Sequence, residues 1–141
     1  MKELTVRAEL ANLDEVLGFV EEELEGIGCS MKLITQMQIA VEEIFVNIAS
    51  YAYTNSDLDP NDQNAIIRLD FEEEEKLITV EFTDRGVPYD PLKKPDPDIT
   101  LSAEERQIGG LGIFMVKKSM DDMTYRYEDD KNILTLKKHV D

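Results

Sequence analysis

An α+β fold is predicted, a two-layer sandwich in which a mixed, mostly antiparallel sheet carries helices on one face. Three observations on the 141 residues lead there. Segments with a two-residue apolar period and segments with a helical period both occur. They follow one another in the order β-α-α-β-β-loop-α-β-β, and a sheet with its helices gathered on one side is the packing such an order favours. The length suits one domain, residues 1–141, with a real core.

Leu4, Val6, Ala8 and Leu10 alternate with Thr5, Arg7 and Glu9, the pattern of a strand with one covered face. Asn12 followed by Glu15 predicts a capped helix whose stripe is Leu13, Val16, Leu17, Val20 and Leu24, ended by Gly26 and Gly28. A second helix is expected from about Ser30 to Tyr53, with Met37, Val41, Ile44, Phe45 and Ile48 on its apolar sector. Ile67, Leu69 and Phe71, then Ile78, Val80 and Phe82, read as two strands joined by a solvated Glu-rich tip. Residues 86–108 hold four prolines and little periodicity, so they form a long irregular segment. A helix from Leu111 to about Met120 follows, and then two closing strands around Asp129–Asn132. Met115, Met120 and Met123 stand at spacings that suit packing.

Composition excludes several classes of function. The hydrophobic fraction is 42% yet no apolar run nears the length of a membrane span, so a protein without membrane insertion is expected. The N-terminal ten residues lack the apolar core of a secretory signal, and the single Cys29 fits a reducing cytoplasm. A net charge of −16 repels nucleic-acid phosphates, so direct nucleic-acid binding is not expected, whereas a basic protein partner would be attracted. The stretch 57–68 begins like a calcium loop but has Asp62 and Arg68 where glycine and glutamate are needed. One cysteine and one histidine cannot make a zinc set.

Three stretches carry candidate chemistry. On the second helix Gln36, Glu43 and Asn47 share a sector, with Tyr51 one turn on, either a solvated face or a site. In "DRGVPYDP", Asp84 ends a strand and Gly86 lets the chain turn. In "GGLGIFMVKKSMD", glycines stand at a helix start, where free amides can receive phosphate oxygens.

In this order the three stretches resemble the nucleotide-binding boxes of the GHKL ATPases, the histidine-kinase-like Bergerat fold. Within it they most resemble the bacterial anti-sigma branch of RsbW- and SpoIIAB-like serine-protein kinases. The "SMDDMTYRY" and "NILTLKK" continuations extend the likeness over nearly the whole chain. The resemblance implies ATP and Mg²⁺ as cofactors. Asn47 would hold the metal, Glu43 would be the catalytic base, and Asp84 would accept the adenine amino group, with Gly86 bringing the backbone near the base. Gly110, Leu111 and Gly112 would admit the phosphates to the helix start, and Arg106, in the lid of residues 92–108, would reach the γ-phosphate. Tyr51 stands where many relatives have histidine, and Pro88 replaces a glycine of the wider superfamily. The implied function is a serine/threonine-protein kinase that sequesters a sigma factor and phosphorylates an anti-anti-sigma STAS-domain protein, acting as a homodimer. A nucleotide-sensing module that regulates a partner by ATP or ADP occupancy is the alternative.

Overall fold

The structure, a computed structural model, describes residues 2–93 and 110–140. Strand β1 (Lys2–Arg7) leads into helices α1 (Leu13–Ile27) and α2 (Met31–Asn47). Strands β2 (Asn64–Glu72) and β3 (Leu77–Asp84) follow, then helix α3 (Gly110–Ser119) and strands β4 (Asp122–Glu128) and β5 (Lys131–His139). The sheet runs β1-β2-β3-β5-β4 with every neighbouring pair antiparallel. The expected fold class holds, and the sheet described is antiparallel throughout. Because β4 stands at the far edge, β5 returns between it and β3 and lies against the end of β3.

Period-2 alternation decides which residues face the helices. One row of cross-strand partners is Leu4, Ile67, Phe82 and Leu134, and the next is Val6, Ala65, Asp84 and Asn132. Two polar residues thus stand side by side on the face that otherwise supplies the core. The helices close that face with Val16, Val20 and Leu24 from α1, Met37, Val41, Ile44 and Phe45 from α2, and Ile113 and Val116 from α3. Each large apolar side chain so buried stabilises the fold by about 1.5–3 kcal/mol before chain entropy is counted.

Several local expectations are corrected. The first strand stops at Arg7, where its ladder with β2 ends at Asn64; one further bond, from the Ala8 amide to the Gln63 carbonyl at 2.9 Å, closes the pairing before the chain turns. Leu10 instead lies in a short 3₁₀ turn and is 57% exposed. Asn12 makes no capping bond to α1; its side-chain amide donates to the Arg7 carbonyl at 3.0 Å. Gly26 lies inside α1, and Gly28 alone ends it, in the left-handed region at φ 91° that favours glycine. Met115 is 55% exposed, since Ile113, Val116 and Met120 take the buried side of that segment. At the β4–β5 hairpin Asp129 and Asp130 both have positive φ, 53° and 62°, as a two-residue turn matched to strand twist requires.

Helix α2 does not continue unchanged to Tyr53. From Ile48 to Ala52 it widens into one π turn before ending at Tyr53. Single π turns are uncommon inside helices and gather at functional sites. Among the described residues no helix is long and apolar enough to cross a membrane.

Candidate nucleotide site

Asn47 is the last residue of α2, and Tyr51 and Ala52 lie in the π turn beyond it. With Asp84 at the end of β3 they border a cavity of about 160 Å³, floored by Ile44, Ile48, Phe82, Ile113 and Leu134 and flanked by Val87 and Tyr89. An apolar cavity of about 150 Å³ accommodates one small aromatic ring, so a flat heteroaromatic base fits the scale of this slot.

The polar part of the slot is built around Asp84, which is only 7% exposed. Burial pushes its carboxyl above the usual carboxylate range, and hydrogen bonds from Asn132 and Gly86 draw it partly back. Both bonds reach the same oxygen: the Gly86 amide donates to Oδ1 at 2.8 Å and the Asn132 side-chain amide at 2.9 Å. Among the described residues Oδ2 accepts no bond, and no buried side-chain oxygen is left unsatisfied, so this oxygen opens to the cavity.

Asn132 belongs to none of the three stretches that carry candidate chemistry in the sequence. Its Nδ2 also donates to the Val87 carbonyl at 2.9 Å and approaches the Gly86 carbonyl at 3.3 Å. Its Oδ1 accepts from the Tyr89 amide at 3.1 Å and from the Tyr125 hydroxyl at 2.5 Å. One buried carboxamide therefore ties the Asp84 carboxylate to the segment that follows it. The only sequence signal was an asparagine at the start of the last strand, which gains meaning once β5 is known to pair with β3.

Gly86 is required by close approach. A Cβ placed there would lie 2.1 Å from the Ala52 carbonyl oxygen, so the turn after Asp84 presses directly on the end of α2's π turn. The next amide, Val87, donates to that same oxygen at 3.0 Å.

Glu43 lies one helical turn before Asn47 and is not part of the cavity wall. Its carboxylate lies against Gly112: a Cβ on Gly112 would meet Glu43 Cδ and Oε1 at 2.1 Å and Oε2 at 2.5 Å. The acid thus fits into the space that a missing side chain leaves in the first turn of α3. Gly110, Leu111 and Gly112 form that turn, whose amides have no partner within the helix. Asn47, Tyr51 and Asp84 are brought together around one slot, Gly86 backs it, and Glu43 stands beyond Asn47 against Gly112. Arg106 and most of the expected lid lie outside the described residues.

An antiparallel sheet packed on its helices, with Asp84 and Asn47 bordering an apolar slot and a glycine-bearing helix start nearby, defines a two-layer α+β sandwich with one candidate ligand site among the described residues. Residues 6–138 match the family of the histidine kinase-like ATPase domain, and the chain belongs to it. The chain is similar to the serine/threonine-protein kinase BtrW of Bordetella bronchiseptica, with 27% identity over 110 residues, 78% of this chain and 73% of that protein. It is likewise similar to the serine-protein kinase RsbW of Listeria monocytogenes, with 25% identity over 114 residues, 78% of this chain and 69% of that protein. Among solved structures, the RsbU and RsbW domains of a Mycobacterium tuberculosis protein align over 99% of this chain with a TM-score of 0.67 at 14% identity, and this chain spans 33% of that one. The SiaB–SiaC complex of Pseudomonas aeruginosa aligns over 98% of this chain and 89% of that chain, with a TM-score of 0.62 at 11% identity. The two structures share the fold.

Proposed function

We propose that this protein is an ATP-dependent serine/threonine-protein kinase of the anti-sigma type, which phosphorylates an anti-anti-sigma STAS-domain protein and sequesters a sigma factor. The observation that carries the reading is the single open carboxylate oxygen of Asp84 in an apolar slot that Asn47 also borders. The relatives named as serine or serine/threonine-protein kinases support the reaction class.

In this reading adenine enters the slot and its amino group donates to Asp84 Oδ2. Guanine has an oxygen at that position, which would leave two acceptors facing each other. Among the described residues no group of three acids, histidines or cysteines converges on a metal position. Asn47 borders the slot, and its side-chain carbonyl would supply Mg²⁺ with one neutral oxygen, phosphates and water completing the shell. When bound, the ion would offset phosphate charge during transfer. Glu43 accepts the proton of the incoming serine or threonine hydroxyl. That oxygen forms its bond to the γ-phosphorus as the bond to the β-phosphate oxygen breaks, and ADP leaves. The net charge of −16 suits a sigma factor with a basic docking face, and β1, at one edge of the sheet, is available to a homodimer.

Incubation with labelled ATP and a STAS-domain protein should move label to a serine or threonine of that protein. Tight Mg-ATP binding with no transfer to any such protein would replace the kinase reading by the occupancy sensor.

Asp84→Asn gives a sharper test of the base site. The asparagine oxygen can still accept from Gly86 and Asn132, but the open oxygen becomes an NH₂ that faces the adenine amino group. ATP affinity should fall about 10- to 100-fold, the scale of a lost hydrogen bond to a charged group. The fold should gain stability. An acid whose pKa is raised by folding costs the fold stability as pH rises from the usual carboxylate range through its raised value, so the penalty is complete above that value and the amide removes it. Calorimetric titration and thermal unfolding read the two changes, and an unchanged ATP affinity would remove Asp84 from base recognition.

A further inference from the structure

Outside the slot, the Tyr53 hydroxyl occupies a position that the proposed chemistry does not use. Tyr53 caps the π turn at the end of α2, and its Oη donates to the Asn64 carbonyl at 2.5 Å and accepts from the Arg85 amide at 2.8 Å. The three amides after Asp84 are thus each held separately. Arg85 is held by Tyr53, Gly86 by the Asp84 carboxylate, and Val87 by the Ala52 carbonyl. Two of these three anchors, Ala52 and Tyr53, belong to the end of α2, just beyond Asn47. Burial pushes the Tyr53 phenol above its usual value, so at neutral pH it is a neutral hydroxyl, able both to donate and to accept.

We propose that Tyr53 is a positioning residue for adenine selectivity: its hydroxyl locks the Asp84–Gly86 turn to the end of α2 and so fixes the direction in which Asp84 Oδ2 is presented to a bound base. The inference rests on Asp84 serving as the adenine acceptor. Asp84 is paired with Ala65 and Asn132 at the end of β3 and Val87 is anchored to Ala52, so the part of the turn left to tilt is the peptide between Asp84 and Arg85, unless something outside the turn holds its amide. Asn132 holds its carboxylate and carbonyl side. Tyr53 holds the amide of Arg85, the first residue after the carboxylate, and ties it to the start of β2. Without the hydroxyl, one turn amide and one strand carbonyl lose their partner, and the carboxylate acquires freedom that a directional hydrogen bond to the base cannot tolerate.

The test compares ATP with purine riboside triphosphate, which lacks only the amino group, in calorimetric titrations of the wild type, Tyr53→Phe and Asp84→Asn. The affinity ratio of the two ligands is insensitive to the fraction of protein folded, because any unfolded share lowers both affinities equally. Phenylalanine also keeps the ring that fills the space. Wild-type protein should prefer ATP, Asp84→Asn should abolish or invert the preference, and Tyr53→Phe should compress it by about fivefold, the effect of one neutral hydrogen bond. If Asp84→Asn abolishes the preference while Tyr53→Phe keeps the wild-type ratio, Tyr53 is only structural and the proposal is overturned. If Asp84→Asn leaves the ratio unchanged, adenine recognition by Asp84 fails, and the role of Tyr53 falls with it.

Discussion

Gly86→Ala is expected to lower Tm by roughly 5–10 °C and to cut ATP affinity at least about tenfold. The new methyl group would overlap the Ala52 carbonyl oxygen at 2.1 Å, its carbonyl carbon at 2.5 Å and its Cβ at 2.7 Å. Two of those atoms are main chain, so no rotamer change relieves the overlap. Either the turn after Asp84 must lift away or the end of α2 must move. Lifting the turn stretches the Val87 bond to Ala52 and the Arg85 bond to Tyr53. It also displaces Asp84, whose Oδ1 is bonded to the Gly86 amide. Stability and base recognition should therefore fail together in thermal unfolding and titration. An alanine variant with wild-type Tm and wild-type ATP affinity would show that the close contact is not held in solution.

Gly112→Ala presents the same overlap distance with the opposite consequence. Here the methyl group meets the Glu43 carboxylate, the far end of a flexible side chain. Glu43 can swing away at little cost, and alanine is favoured over glycine inside a helix by about 1 kcal/mol, so stability should hold or rise. With Glu43 in the proposed role of base, phosphoryl transfer at saturating ATP should nevertheless drop on the order of 100-fold, since the displaced carboxylate would no longer reach the incoming hydroxyl. Glu43→Ala removes the same carboxylate outright and should lower transfer by about 10²–10⁴ while nucleotide binding persists. Comparing kcat at saturating ATP sets aside any loss of affinity from crowding near the phosphates. A Gly112→Ala variant with full kcat, or a Glu43→Ala variant that still transfers, would mean that the proton goes elsewhere.

Much of the fold was legible because it depends on period alone. The buried stripe of α2, Met37, Val41, Ile44, Phe45 and Ile48, was read from helical spacing, and all five are buried. The strand hairpins followed from alternation and polar turns, and the order of elements set the layering. Ends were less legible. Asn12 looked like a cap because it precedes an acid at the right interval, yet the nearby Arg7 carbonyl takes its side chain instead. Met115 sits at core-like spacing from its neighbours, but the face of α3 that is buried depends on where α2 lies.

The site divides along the same line. Glu43 and Asn47 could be placed on one helix sector because four residues make about one turn, a purely local relation. Asp84 and Gly86 could be picked out as a strand end and a turn. Local order along the chain, however, cannot tell which strand lies beside which. Asn132 meets Asp84 only because the chain passes through α3 and β4 before β5 returns against β3. Nor could spacing reveal that Gly86 is forced by the Ala52 carbonyl, or that Gly112 leaves the space the Glu43 carboxylate fills, contacts between segments 34 and 69 residues apart in sequence. Periodicity is written into neighbouring residues, so it survives in a string of letters; contacts across the slot arise when separate segments pack, and their distances exist only after the chain has closed on itself.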